Sequence, residues 1–181
     1  MNYYIADNHF GHTNIIKHDN RPFENASIMD EVMINNWNNV VKENDTVYIL
    51  GDFSWHDEEG TISVLDKLAG QKIFITGNHD VITDNIASRF ISVHDYLEIT
   101  DGKEKVIMSH YPMLFWNGQF DDTVHLYGHV HNSLQWRVCE KWRRELKQLQ
   151  NIPMRMYNVG CMMDWMGYAP QTLQEIMNRS V

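Results

Sequence analysis

The chain has 181 residues, of which 43% are hydrophobic and 22% charged, proportions of a soluble globular protein with a sizeable core. Its formal net charge of −9, with histidines counted neutral, argues against the broad basic face that a long nucleic acid requires. No apolar run approaches the roughly 20 residues of a membrane span, so no membrane partner is expected.

Met1–Asp7 lacks a basic region and a cleavage site, so it reads as a first core strand, Asn2–Ala6, rather than a signal peptide. A helix is predicted over Ile28–Val41, capped by Asn25 or Ser27, with Met29, Met33, Trp37 and Val40 at three- and four-residue spacing. Strand Thr46–Leu50, helix Thr61–Ala69 and strand Lys72–Thr76 follow. The apolar runs Val47–Leu50 and Ile73–Ile75 do not alternate, as expected of strands covered on both faces. A short helix is predicted over Ile82–Ser88, then strands Phe90–Val93, Tyr96–Thr100 and Lys105–Ser109, with Asp101-Gly102 as a hairpin turn. Strand Thr123–Tyr127, helix Glu140–Gln150, strand Arg155–Val159 and a last helix from Pro170 to Asn178 complete the pattern. Alternating strands and helices with a strand-rich second half indicate α/β layers with mixed sheets in one domain, residues 1–181. Cys139 and Cys161 show no metal-ligand spacing and are expected as free thiols in a reducing cytoplasm.

Five segments end in residues that bind hard or borderline metals: Asp7-Asn8-His9, Gly51-Asp52, Gly77-Asn78-His79-Asp80, Ser109-His110 and Gly128-His129-Val130-His131. Each alone has an ordinary reading as a turn, a cap or an interior histidine. Together, each just after a strand-like run, they place metal donors on loops at the end of a sheet. Asp7 and His9, like His129 and His131, are spaced by two and can turn toward one point. Imidazole, carboxylate and amide oxygen suit Mn, Fe, Zn or Co better than Ca or Mg. Seven donors serve two ions if one carboxylate bridges, and Asp52 holds the central position for that.

These segments resemble the calcineurin-like metallophosphoesterases, whose pattern is D-x-H, G-D, G-N-H-D or G-N-H-E, a later H, and G-H-x-H. The resemblance runs from Asp7 to His131 and continues through Asn158-Val159-Gly160; His9-Phe10-Gly11-His12 and Arg21-Pro22-Phe23 are similar to small bacterial and phage members. It implies a four-layer α-β-β-α sandwich with two mixed sheets and a dimetal centre on loops at one edge. It implies Asp7, His9, Asp52 and His131 around a first metal, and Asp52, Asn78, His110 and His129 around a second. His79 would be the catalytic histidine that is not a ligand, with Asp80 as its orienting partner. Manganese is the first expectation for both ions, with iron, zinc, cobalt and nickel as alternatives. His12 and Arg21 are candidate substrate contacts. Residues 133–157 match no pattern of the family.

The implied chemistry is hydrolysis of a phosphomonoester or phosphodiester. Two ions about 3.5–4 Å apart lower the pKa of a shared water and leave a hydroxide in line with phosphorus. The expected partner is a small phosphorylated compound, with nucleotides among the candidates. A nuclease or cyclic-nucleotide phosphodiesterase is the alternative within the enzyme class. An inactive binding scaffold would be expected to lack a ligand or the catalytic histidine, and the sequence lacks neither.

Overall fold

The computed structural model describes residues 1–149 and 151–179. The first sheet holds β1 (Asn2–Ile5), β2 (Thr46–Leu50), β3 (Gln71–Ile75) and β4 (Ser92–His94) in that order, parallel throughout. The second holds β5 (Tyr96–Asp101), β6 (Glu104–Ser109), β7 (Val124–Tyr127) and β8 (Met156–Asn158). There β5 and β6 form an antiparallel hairpin, and β7 and β8 add in parallel, so the mixed pairing lies in this sheet alone. Asp101 pairs with Glu104, which makes Gly102 and Lys103 the two turn residues. Gly102 opens the turn at φ 62°, a conformation cheap only for glycine.

The layers follow from the alternation of side chains along each strand. In β6, Val106 and Met108 join the main core while Ile107 joins a smaller one; in β7, Val124 and Leu126 join the main core while Tyr127 faces the smaller. The main core lies between the sheets, where Tyr4 and Tyr48 stack with ring centroids 5.3 Å apart. Tyr4 also donates across the sheets to Asp101 Oδ2 at 2.8 Å. Helices α2 (Ala26–Val40) and α3 (Glu58–Lys67) pack outside the first sheet. Met29, Met33 and Trp37 of α2 are buried, and the Trp37 indole donates to Ala69 O just past α3. Helix α5 (Leu134–Leu149) packs outside the second sheet through Cys139, which joins Tyr127, Trp116 and Met156 in the smaller core. The order is thus helix, sheet, sheet, helix.

Helix ends differ from expectation where a side chain nearby supplies a better cap. Asn25 caps α2 by accepting from Ile28 N, so Ser27 lies inside the helix. Asp57 caps α3 by accepting from Gly60 N, which moves its start three residues ahead of Thr61. Thr83 caps α4 (Asp84–Ala87) and leaves Ile82 outside. Helix α5 begins six residues before Glu140; the predicted end at Gln150 lies outside the described residues. The last helix, α6 (Leu173–Arg179), starts after Pro170 rather than at it, and α1 (Thr13–His18) is a short helix without a periodic apolar pattern. Cys139 and Cys161 are both free and buried. Among the described residues no helix is long and apolar enough to cross a membrane.

His125, fully buried on β7, accepts from Met113 N at Nε2 (3.1 Å) and faces Ile107 O through Nδ1 (3.3 Å). Nε2 therefore carries no proton and the ring is neutral; burial pushes its pKa down to about 4. The unfolded chain takes up a proton near its ordinary value of about 6.5, which the folded protein refuses until about 4. The resulting stability is complete above pH ~6.5 and is lost as pH falls toward 4, a contribution of about 3 kcal/mol. Denaturant titrations of metal-free protein and His125→Gln across this window should show a shallower pH dependence in the variant. Equal slopes would remove His125 as the cause.

Candidate metal centre

Parallel pairing brings the carboxyl ends of β1, β2 and β3 to one edge of the first sheet, and those of β6 and β7 to one edge of the second. Asp7, Asp52, Asn78, His110 and His129 lie one to three residues past those ends. The edges are tied together by the parallel bridge between Ala6 and Gly160. Ala6 N donates to Val159 O and Cys161 N to Ala6 O, both at 2.8 Å.

The backbone is strained where the donors sit. Nine residues other than glycine have positive φ among those described; five are Asp7, His9, Asp52, His129 and His131. Each left-handed residue of this kind costs about 1–2 kcal/mol, and such strain concentrates at functional sites. Glycine makes the close approach possible: a Cβ on Gly51 would lie 2.5 Å from His110 Nδ1, and one on Gly77 would clash with Asp52 Oδ1.

Two groups of donor atoms result, each within 4.8 Å of one another: Asp7, His9, Asp52 and His131, and Asp52, His110 and His129. Asp52 belongs to both. His9 Nε2 and His131 Nε2 are 3.2 Å apart, His9 Nε2 lies 3.7 Å from Asp52 Oδ2, and His131 Nε2 lies 3.8 Å from Asp7 Oδ1. In the second group His110 Nε2 lies 3.6 Å from Asp52 Oδ2. Asn78 Oδ1 lies 3.0 Å from His110 Nε2 and 2.8 Å from His129 Nδ1. Donors bonded to one ion at about 2.0–2.2 Å sit about 3–4 Å from each other, so these residues fit divalent metal.

The outer contacts set the imidazole tautomers. His110 Nδ1 faces Leu50 O at 2.8 Å and donates there, which leaves Nε2 as a lone pair toward Asp52. His131 Nδ1 donates to Asp19 Oδ1 at 2.8 Å, which leaves its Nε2 free toward His9. Such carboxylate–histidine pairs orient metal ligands. Asp7 is fully buried and accepts from His129 N through both oxygens at 3.0 Å. In the metal-free protein burial raises the Asp7 pKa and lowers that of His9, the latter reinforced by the charge of His131. Burial also opposes the charged form of His131, but Asp19 and Asp7 outweigh it and raise its pKa. The centre holds closely spaced acids and bases whose charges a cation would balance.

Two expected roles require correction. Asp80 does not orient His79: its carboxylate accepts from Asp52 N (2.7 Å), Phe53 N (2.9 Å) and Gly77 N (2.8 Å). It is the clasp that joins the loops after β2 and β3. Arg21 is turned inward with no side-chain exposure, pairs with Asp19, and donates to Asn8 O and Asp7 O. It supports the first loop from beneath and cannot reach a phosphate. His79 lies at the surface of the centre, its N–H donating to Asp52 Oδ1 at 3.0 Å. His12 is part-exposed and stacks on Trp55 at 4.1 Å, with Nδ1 3.4 Å from His9 Nδ1.

Asp19 was not legible in the sequence as part of the centre; its only signal is its place between His18 and the Arg21-Pro22-Phe23 segment. Tyr111, over His129 at 4.2 Å, follows His110 directly and carried no signal of its own. Asn158 donates to His131 O at 2.9 Å, which accounts for the Asn158-Val159-Gly160 segment.

No family model matches the chain. The uncharacterized protein MJ1445 of Methanocaldococcus jannaschii is 38% identical over 131 residues, 71% of this chain and 68% of that protein. The gene 66 protein of Mycobacterium phage L5 is 24% identical, covering 73% of this chain and 78% of its own. The crystal structure of AQ665 from Aquifex aeolicus, a protein of unknown function, is 26% identical with a TM-score of 0.75. It covers 100% of this chain and 99% of its own, so the whole fold is shared.

Proposed function

We propose that the chain, which belongs to one family with the uncharacterized archaeal protein MJ1445, is a calcineurin-like metallophosphoesterase and hydrolyses a phosphomonoester or phosphodiester. The observation that carries this reading is the pair of donor groups sharing Asp52, with His79 at their open side. Asp7, His9, Asp52 and His131 would hold one divalent ion, and Asp52, Asn78, His110 and His129 a second. Manganese is the first candidate, with iron, zinc, cobalt and nickel suited to the same donors. Bound there, such ions supply Lewis acidity toward a phosphoryl oxygen and acidify a water.

The remaining residues position and protonate. Asp19 and the Leu50 carbonyl hold His131 and His110 in the tautomers that keep lone pairs toward the centre. Asp80 holds the loops that carry Asp52 and Asn78 in register. His79, anchored through its backbone to Asp52, is free in its ring to donate a hydrogen bond to phosphoryl oxygen or a proton to the leaving oxygen. His12, held against Trp55, would make a second contact to the substrate.

The test is chelation of the purified protein, then Mn²⁺ add-back, with nitrophenyl phosphate and bis(nitrophenyl) phosphate as generic monoester and diester. Chelation should abolish activity and lower the melting temperature, because ions that bind only the folded state stabilise it. If neither changes, the reading fails. His79→Ala should retain its metal, since the ring is assigned no coordination bond, while turnover falls about 10²–10⁴-fold. Metal loss in that variant would make His79 a ligand instead.

A further inference from the structure

Next to the donor cluster lies a pocket of about 300 Å³, and His79 and Trp55 form part of its wall. None of the proposed metal ligands lines it. Its floor is apolar and buried, made by Phe53, Phe74, Phe90 and Ile86. At its lip two large apolar side chains stand in solvent, Val81 at 78% exposure and Trp55 at 40%. Apart from the His79 ring, polar side chains around it are already engaged. Thr61 Oγ1 donates to Ser54 Oγ at 2.9 Å, and Thr83 Oγ1 accepts from Ile86 N. Asp57 caps α3, and Glu58 accepts from Asn85 at 2.6 Å.

We propose that this pocket receives the leaving group of the substrate, and that the leaving group is an uncharged aromatic ring system. This rests on the phosphoesterase reading and adds the substrate class to it. His79 lies at the boundary between the two compartments: its N–H is bonded to Asp52 on the metal side, and it lines the pocket on the other. A phosphoryl group at the donors with its leaving oxygen at His79 directs the rest of the ester past Trp55 into the pocket. Among the described residues no lysine or arginine lines that space and three carboxylates do, those of Asp57, Glu58 and Asp80, so a second anionic group is disfavoured. A flat ring meets Trp55 at the lip and the phenylalanines below, where aromatic contacts add to area burial. The volume suits a small ligand group, at the lower end of such sites.

Val81 is exposed, so Val81→Asp should fold normally while placing a carboxylate at the lip; Ile86→Trp fills the floor from inside. Wild type and variants are compared on naphthyl phosphate and on acetyl phosphate, whose leaving group is too small to need the pocket. Each variant is expected to lower kcat/KM for naphthyl phosphate by about tenfold or more and to leave acetyl phosphate within about twofold. Equal loss on both substrates, or loss on neither, overturns the proposal. Binding of naphthol to chelated protein, read by tryptophan quenching, gives an arm independent of catalysis. Weaker naphthol binding in Val81→Asp with no hydrolysis of any ester would keep the aromatic site and remove the phosphoesterase reading. Hydrolysis with naphthol binding equal in wild type and both variants would keep the enzyme and remove the pocket.

Discussion

Asp52→Asn should lose more metal, and more activity, than any other single change at the centre. Asp52 is the one residue common to both donor groups. Its Oδ1 accepts from His79 N at 3.0 Å, while Oδ2 faces His9 Nε2 at 3.7 Å and His110 Nε2 at 3.6 Å. In the asparagine variant the amide oxygen keeps the bond to the His79 N–H. The NH2 then turns toward His9 and His110 and presents hydrogens where a shared anionic oxygen is needed. Loss of an outer contact at a metal site typically costs about 10–100-fold in affinity or activity, so loss of a bridge should exceed the upper end. Asp7→Asn, which touches only one group, is the comparison. Metal content by elemental analysis and activity over a range of Mn²⁺ decide the matter. Two bound ions with wild-type turnover in Asp52→Asn would remove the bridge.

The second large effect is expected from a methyl group. Gly51→Ala should both destabilise the protein and empty the centre, whereas Gly102→Ala should do only a little of the first. Both glycines are left-handed, at φ 83° and 62°, and each substitution carries the same backbone penalty of about 1–2 kcal/mol. They differ in what the new Cβ meets. At Gly102 no described residue lies within 4 Å. At Gly51 the Cβ would lie 2.5 Å from His110 Nδ1 and 2.6 Å from both the Cα and N of Gly77. Two of those atoms are backbone and cannot rotate away, so the loops after β2 and β3 must separate. That movement breaks the His110 bond to Leu50 O and pulls Asp52 from Asn78. Thermal melts with and without Mn²⁺ separate the two contributions. Gly102→Ala should keep the full metal-induced rise in melting temperature, and Gly51→Ala should lose it. An intact rise in Gly51→Ala would mean that the close approach of these loops is not required.

Much of the scaffold can be read from local pattern. Strand positions follow from apolar runs such as Val47–Leu50, because hydrophobic periodicity is a property of neighbours in sequence. The Gly-Asp and Gly-Asn-His-Asp segments were legible as loop residues beside those runs for the same reason. Helix starts were read less well, because Asp57 and Thr83 act as caps through hydrogen bonds that depend on where the preceding loop runs. The all-parallel order of the first sheet is likewise a matter of how the helices cross over, which residue type does not encode.

The candidate donors and the strand ends that carry them are legible in the sequence, since both depend on residue type and short spacing. Tertiary structure alone decided which of those side chains face one another and what holds them. Arg21 and Asp80 show why: as charged groups near the motifs they suggested substrate and histidine contacts, yet each is bound to the backbone of a loop. Burial decided both, because a charged group removed from water must find partners at once, and here unpaired N–H and C=O groups of strained loops were nearest. Asp19 became a partner of His131 across 112 residues of chain. That contact depends on the two sheets closing together at Ala6 and Gly160, which no local spacing foretells.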